Sequence, residues 1–137
     1  MKYLVVLFVL LNAYGFNIKV SVDNLRNSKG VVEFFLYNNK NSIPDKNLNK
    51  YIKKQTAIIK NNSANIIFKN IPKGKYAISA IHDENKNGKI DKGFMLPKEG
   101  IGFTNYKKIN LFNKPNFQNA SFELNKNETK KIKIIYF

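Results

Sequence analysis

Ile71-Pro72-Lys73-Gly74-Lys75-Tyr76-Ala77-Ile78-Ser79-Ala80-Ile81-His82-Asp83 is the stretch on which the architecture turns. Proline fixes φ and glycine offers a position open to positive φ, so residues 71–74 predict a tight connection feeding a strand. Residues 76–83 then alternate: Tyr76, Ile78, Ala80 and His82 share one face, and Ala77, Ser79, Ile81 and Asp83 the other. The strand ends where an Asn-rich acidic run begins, so that run is anchored on a rigid element.

Outward from this strand the pattern stays β. Residues 16–22 set Ile18, Val20 and Val22 against Lys19 and Ser21, as a half-buried strand does. Turn formers ending in Ser28-Lys29-Gly30 lead to a more apolar strand over 31–37, and the two predict an opening hairpin. In the polar stretch that follows, Leu48, Tyr51 and Ile52 have helical spacing behind Pro44-Asp45. Either a short helix over 45–54 or an ordered loop dropping Leu48 and Tyr51 onto the core edge satisfies that spacing. Further strands are predicted at 56–60 and 65–69 around Asn61-Asn62-Ser63, and at 121–124 and 129–137 around Asn125-Lys126-Asn127. Residues 93–106 and 112–117 are too punctuated by glycine and proline for helices and too apolar for disorder. They read as ordered irregular segments, the first folding back over the acidic run. About seven short strands with no long amphipathic helix and no internal repeat predict a single all-β domain over 16–137. Its expected form is an antiparallel β-sandwich with a long ordered loop region after the fifth strand.

Residues 1–15 have a different character. Lys2 precedes an apolar run from Tyr3 to Leu11, too short to span a bilayer, and Ala13-Tyr14-Gly15 places small residues as a cleavage site requires. The expectation is a signal peptide cut after Gly15 or two or three residues earlier, and a periplasmic or secreted mature chain. No cysteine follows the apolar run, so lipoprotein attachment is not available. No later stretch is apolar for long enough to span a membrane, and with no cysteine anywhere stability must come from packing and, on a metal-binding reading, an ion. The formal charge of +15 raises nucleic-acid binding. Against it, the lysines are spread evenly beside heavy Asn and Ile usage, and Arg26 is the one arginine where phosphate and base recognition favour several. Weak attraction to anionic envelope polymers fits this charge better.

Several motifs in a fixed order resemble the bacterial DUF2141 family. They are Leu25-Arg26-Asn27-Ser28-Lys29-Gly30, Ile71-Pro72-Lys73-Gly74-Lys75-Tyr76-Ala77, and the run from His82 to Asp91. Pro97-Lys98-Glu99-Gly100-Ile101-Gly102-Phe103-Thr104-Asn105 and Pro115-Asn116-Phe117-Gln118-Asn119-Ala120-Ser121-Phe122 complete the set. The family's usual Leu-Pro-Pro-Gly turn reads Ile-Pro-Lys-Gly here, a change that keeps the turn. The resemblance implies an exported protein with a transthyretin-like or Cna-B-like sandwich, and no established activity.

The acidic run carries the chemistry. Asp83, Asn85 and Asn87 alternate, Gly88 follows, and then Asp91. This is the first two-thirds of a calcium loop, in which a hard cation collects oxygens at about 2.3–2.6 Å and the sixth-position glycine allows the turn. Only nine acids occur in the chain, yet Asp83, Glu84, Asp91 and Glu99 fall within seventeen residues. The expected calcium ligands are Asp83, Asn85, Asn87, the Lys89 carbonyl and Asp91. Phe94 stands where an EF-hand has its bidentate glutamate, so Glu99 is the candidate for the missing carboxylate. Glu84 alternates away and reads as a solvated surface acid. The competing reading is a metal-free, Asx-rich turn.

Catalytic components are sparse. His82 is the only histidine, and it could serve as a general acid or base with Asp83 or Glu99, or could orient the loop through a backbone carbonyl. Without cysteine, a second histidine or a nucleophile motif, triad and zinc chemistry lack parts. Phe103, Tyr106, Phe112 and Phe117 lie in irregular segments as platforms for a ligand or as caps on the core. The expectation is a monomeric, non-catalytic, calcium-stabilised module that binds an envelope protein or a polysaccharide. A metal-free protein-interaction module and an uncharacterised hydrolase built on His82 are the alternatives.

Overall fold

The computed structural model describes residues 15–86, 99–110 and 112–137. Within them the chain forms β1 (Phe16–Val22), β2 (Val31–Tyr37), β3 (Lys53–Ile58), β4 (Ala64–Ile71), β5 (Gly74–Asp83), β6 (Gly100–Phe103), α1 (Phe117–Ala120), β7 (Phe122–Leu124) and β8 (Glu128–Ile132). Two sheets result. The smaller has the order β4-β1-β8, the larger β3-β2-β5-β6, with β7 paired to the first residues of β5. The fold is the all-β sandwich that the alternation predicts. No helix among the described residues is long and apolar enough to cross a membrane.

β5 is the centre of the larger sheet, and its period of two makes two cores. Tyr76, Ile78 and Ala80 face the small sheet, meeting Ile18, Val20 and Val22 of β1, Phe34 and Leu36 of β2 and Phe68 of β4. Ala77 and Ile81 face the other way, into a second cluster with Phe35, Tyr37 and Phe103. Chain outside the strands closes that cluster: Ile43, Leu48 and Tyr51 from one loop, Tyr106 from another segment, and Phe117 and Ala120 from α1. Each large apolar side chain buried in this way contributes roughly 1.5–3 kcal/mol.

Several connections differ from expectation. β1 and β2 do not form a hairpin: β1 pairs with β4 antiparallel and with β8 in parallel, while β2 pairs with β3 and β5. β7 and β8 also part company, one joining β5 and the other β1. Turn residues at 23–30 and 125–127 therefore reverse the chain between sheets rather than within one. The turn at Asn61-Asn62 holds both residues at positive φ, 51° and 60°, a conformation asparagine tolerates, and it too carries the chain across from β3 to β4. Near the Pro72 connection the left-handed residue is Asn70, not Gly74. Residues 100–103, expected to be irregular, form β6, and α1 follows the 112–117 segment behind an Asn116 cap that accepts from the Asn119 N–H at 2.8 Å.

Residues 38–52 form the ordered loop and no helix. Leu48 sits at a φ of 51°, which ends any helical turn there. Asp45 organises the loop instead: its buried carboxylate accepts from the Asn49 and Lys50 N–H groups and the Tyr37 hydroxyl, each at 3.0 Å. Burial pushes the Tyr37 hydroxyl well above the ordinary tyrosine value, which keeps it a donor.

Candidate functional site

The acidic run leaves β5 at Asp83, a residue 1% exposed that pairs across to Val31 at the start of β2. Gly30, just before Val31, has a φ of +70°, and a Cβ there would run into the Asp83 carbonyl. Glycine is what lets residues 25–30 lie against the exit of β5. Two motifs distant in sequence are thereby fastened together.

His82 supplies the first fastening. Its Nε2 stands 2.8 Å from the Lys29 carbonyl oxygen, which can only accept, so this nitrogen carries the proton. Nδ1, 2.7 Å from the Tyr136 hydroxyl, then accepts from it. The same hydroxyl oxygen accepts from the Arg26 N–H at 3.2 Å. The histidine is fully buried, with both ring nitrogens engaged.

Glu84 supplies the second. The Arg26 guanidinium grips its carboxylate with two nitrogens, Nε at 3.2 Å from Oε2 and Nη2 against Oε1, and Asn27 Nδ2 donates to Oε2 at 2.6 Å. The guanidinium also lies over the Tyr136 ring, 4.5 Å from its centroid. The hydrogen bond from Arg26 holds the Glu84 carboxyl below its ordinary value, against the opposing effect of burial. Glu84 is thus not the solvated surface acid expected from strand alternation. Alternation stops at Asp83, where the chain turns. The usable signal was Arg26, the chain's one arginine, whose planar fork suits a carboxylate.

Glu99 returns to this end of the sheet. It is 4% exposed, and its Oε2 accepts from the Glu84 N–H at 2.9 Å. Next to it Gly100 pairs with His82, in a position where a Cβ would strike Ile134 and Tyr136. Asp83, Glu84 and Glu99 are therefore gathered where the run leaves and rejoins the sheet. Asn85 lies in the intervening turn, in which the Lys86 N–H reaches the Asp83 carbonyl at 3.4 Å. Asn87, Lys89 and Asp91 lie outside the described residues. Among the described residues no group of three or more His, Cys, Asp or Glu side chains is placed to hold a metal ion unaided.

One acid was missed. Glu33, 6% exposed, sits on β2 opposite Ile81 and shares the outer face with Asp83. Lys54 Nζ is 2.9 Å from its Oε2, yet that oxygen has no partner in hydrogen-bonding geometry, so the contact is a charge pairing. Its signal was plain: one charged residue inside Val-Val-Glu-Phe-Phe-Leu-Tyr. The aromatics divide. Phe103, Tyr106 and Phe117 are buried in the second cluster, while Phe112 is 99% exposed.

The family model described as an uncharacterized protein conserved in bacteria, DUF2141, matches residues 20–133, and the chain belongs to that family. No curated protein and no solved structure matches it.

Proposed function

We propose that this protein is an exported, non-catalytic β-sandwich, stabilised by calcium at the acidic run, that serves at the cell envelope as a binding or accessory module for a polysaccharide or another envelope protein. One observation carries the metal reading: Asp83 and Glu99, both almost fully buried, flank the run where it leaves the sheet and where it returns. Between them in sequence lie Asn85, Asn87, Lys89 and Asp91. Buried carboxylates need positive charge or donors to offset them; Arg26 supplies part of this at Glu84, and a bound cation would add to it. A hard cation taking six to eight oxygens suits this donor set, with Asp83 and Glu99 as fixed carboxylates and the asparagines and the Lys89 carbonyl as neutral oxygens. The sealed, fully engaged His82 supports a role without catalysis. The basic and apolar pattern of residues 1–15 supports export.

Thermal melting of the purified protein with calcium and then with chelator tests the reading. At free calcium a hundredfold above Kd, stability rises by about 2.7 kcal/mol, a Tm increase on the order of 10 °C. Asp83→Ala and Asp91→Ala remove the response, and Glu84→Ala keeps it. An unchanged Tm at millimolar calcium overturns the metal assignment.

The Arg26–Glu84 pairing favours a second reading, a metal-free interaction module in which protein groups alone close this end of the sandwich. On that reading Arg26→Ala lowers Tm by the same amount with calcium and with chelator.

A further inference from the structure

Phe103, Tyr106 and Phe117 pack inward, but the same segment holds Phe112 out into solvent at 99% exposure. The loop that presents it is built firmly. The Asn113 N–H donates to the Asn110 carbonyl at 3.1 Å, and the Phe112 N–H to Asn110 Oδ1 at 2.8 Å. Asn113 Nδ2 donates to the Lys108 carbonyl at 2.7 Å. At the root, buried Tyr106 donates its hydroxyl to the Lys114 carbonyl at 3.3 Å and accepts from the Asn116 N–H at 3.1 Å. Asparagine side chains bonding back to the local backbone fix Asn110, Phe112 and Asn113 relative to one another. Around it Lys107, Lys108 and Lys114 are all exposed. A recess at the root is lined by Lys107, Lys131 and Lys133, with Asp23 paired to Lys131 at 3.2 Å.

We infer that residues 107–110 and 112–115 form a docking tip for anionic lipid bilayers, with Phe112 entering the acyl boundary and Lys107, Lys108 and Lys114 at the phosphate level. A single aromatic gives marginal, reversible partitioning, and a neighbouring basic patch is the second signal that makes it effective. Each lysine near an anionic surface strengthens partitioning about fivefold. The shape selects lipid over glycan. A sugar platform needs hydrogen-bonding groups beside the ring in a concave site, whereas the Phe112 ring, 99% exposed, has no wall of described residues around it. This inference uses neither the acidic run nor calcium, and each can fail without the other.

The chain contains no tryptophan, so Phe112→Trp creates a single reporter at the tip. Because Phe112 is 99% exposed among the described residues, the substitution leaves their packing intact. The variant in its exported form, residues 16–137, is mixed with phosphatidylcholine vesicles, with or without phosphatidylglycerol. Expected are a blue-shifted emission and quenching by brominated acyl chains with the anionic vesicles only. Adding Lys107→Gln, Lys108→Gln and Lys114→Gln together weakens partitioning on the order of a hundredfold. Emission that stays aqueous while the protein sediments with vesicles would assign binding to another segment and overturn the inference. A shift with soluble alginate and none with vesicles would overturn it in favour of an anionic glycan. An equal shift on uncharged vesicles would remove the lysines' role and overturn it as stated.

Discussion

Phe34 and Phe35 are neighbours on β2, buried to 0% and 1% exposure, and they face different structures. Phe34 looks into the space between the two sheets, where apolar residues on regular strands meet from both sides. Phe35 looks outward, under the 38–52 loop and the 104–120 segment, with Tyr51 at 5.1 Å between ring centroids. Around Phe34 the inner face is held by area and period, with polar fastenings only towards the ends of β5, at Tyr76 and His82. The outer face is held by area plus polar fastenings: Asp45 beneath one loop, and under the other Thr104, whose hydroxyl donates to the Ala120 carbonyl and accepts from the Ile78 N–H at 3.2 Å. A sheet can roof another sheet without directional bonds. A loop roofing a sheet must have its backbone polar groups satisfied one by one.

The largest expected effect tests this contrast directly. Phe34→Ala lowers stability by about 3–5 kcal/mol, because two sheets cannot collapse into the cavity. Phe35→Ala lowers it less, by about 2–3 kcal/mol, because a loop can settle into the space. Equal losses in urea denaturation would erase the distinction between the two roofs. Asp45→Ala comes next, at about 1–3 kcal/mol, since it strands two backbone donors and the Tyr37 hydroxyl. Its signature is local: trypsin cuts at Lys46 and Lys50 well before the sandwich unfolds. A variant that loses stability without faster cutting there would show that Asp45 serves the whole domain and not its roof.

The smallest effect sits at the acidic end. Glu84→Gln lowers stability by about 0.5–1 kcal/mol at neutral pH, a modest figure because Arg26 is well exposed. The Glu84 carboxyl lies below its ordinary value of 4.5 when folded, so its contribution is fully present above that value. It is lost as pH falls through the lower folded value. The Tm difference between wild type and Glu84→Gln should therefore be present at pH 7 and vanish in strong acid. A difference that persists there would mean the carboxylate's charge is not what Arg26 recognises.

This contrast also explains what could be seen in the sequence. The inner core was legible because strict alternation in 16–22 and 76–83 names which residues point inward. Strand partners were not legible. Turn residues after Val22 announce a reversal but cannot say whether the chain returns to the same sheet, and here it crosses to the other. The outer roof was legible only as an alternative, since Leu48 and Tyr51 show that something packs there and nothing in their spacing reveals that Asp45 replaces a helix. At the candidate site, Asp83 and Glu99 could be named from composition. The grip on Glu84 could not, because it depends on residues 25–30 lying against residue 84, and that contact exists only once β2 and β5 have paired. Glu33 was visible as the one charge in an apolar strand, but its pairing with Lys54 exists only once β2 and β3 have come together.

The parallel pairing of β1 with β8 has a consequence in time. Ile18 faces Glu128, and Asn17 is hydrogen-bonded to Asn127 across 110 residues of chain. A nascent polypeptide can assemble β2, β3 and β5 while it is being made, but β1 keeps an open edge until the final strand emerges. Closing so long a loop is slow, and until it closes β1 offers its unsatisfied backbone to any passing strand, including that of a second molecule. Loss of the last ten residues would thus be felt first as aggregation during synthesis, before any weakness of the finished fold could be measured.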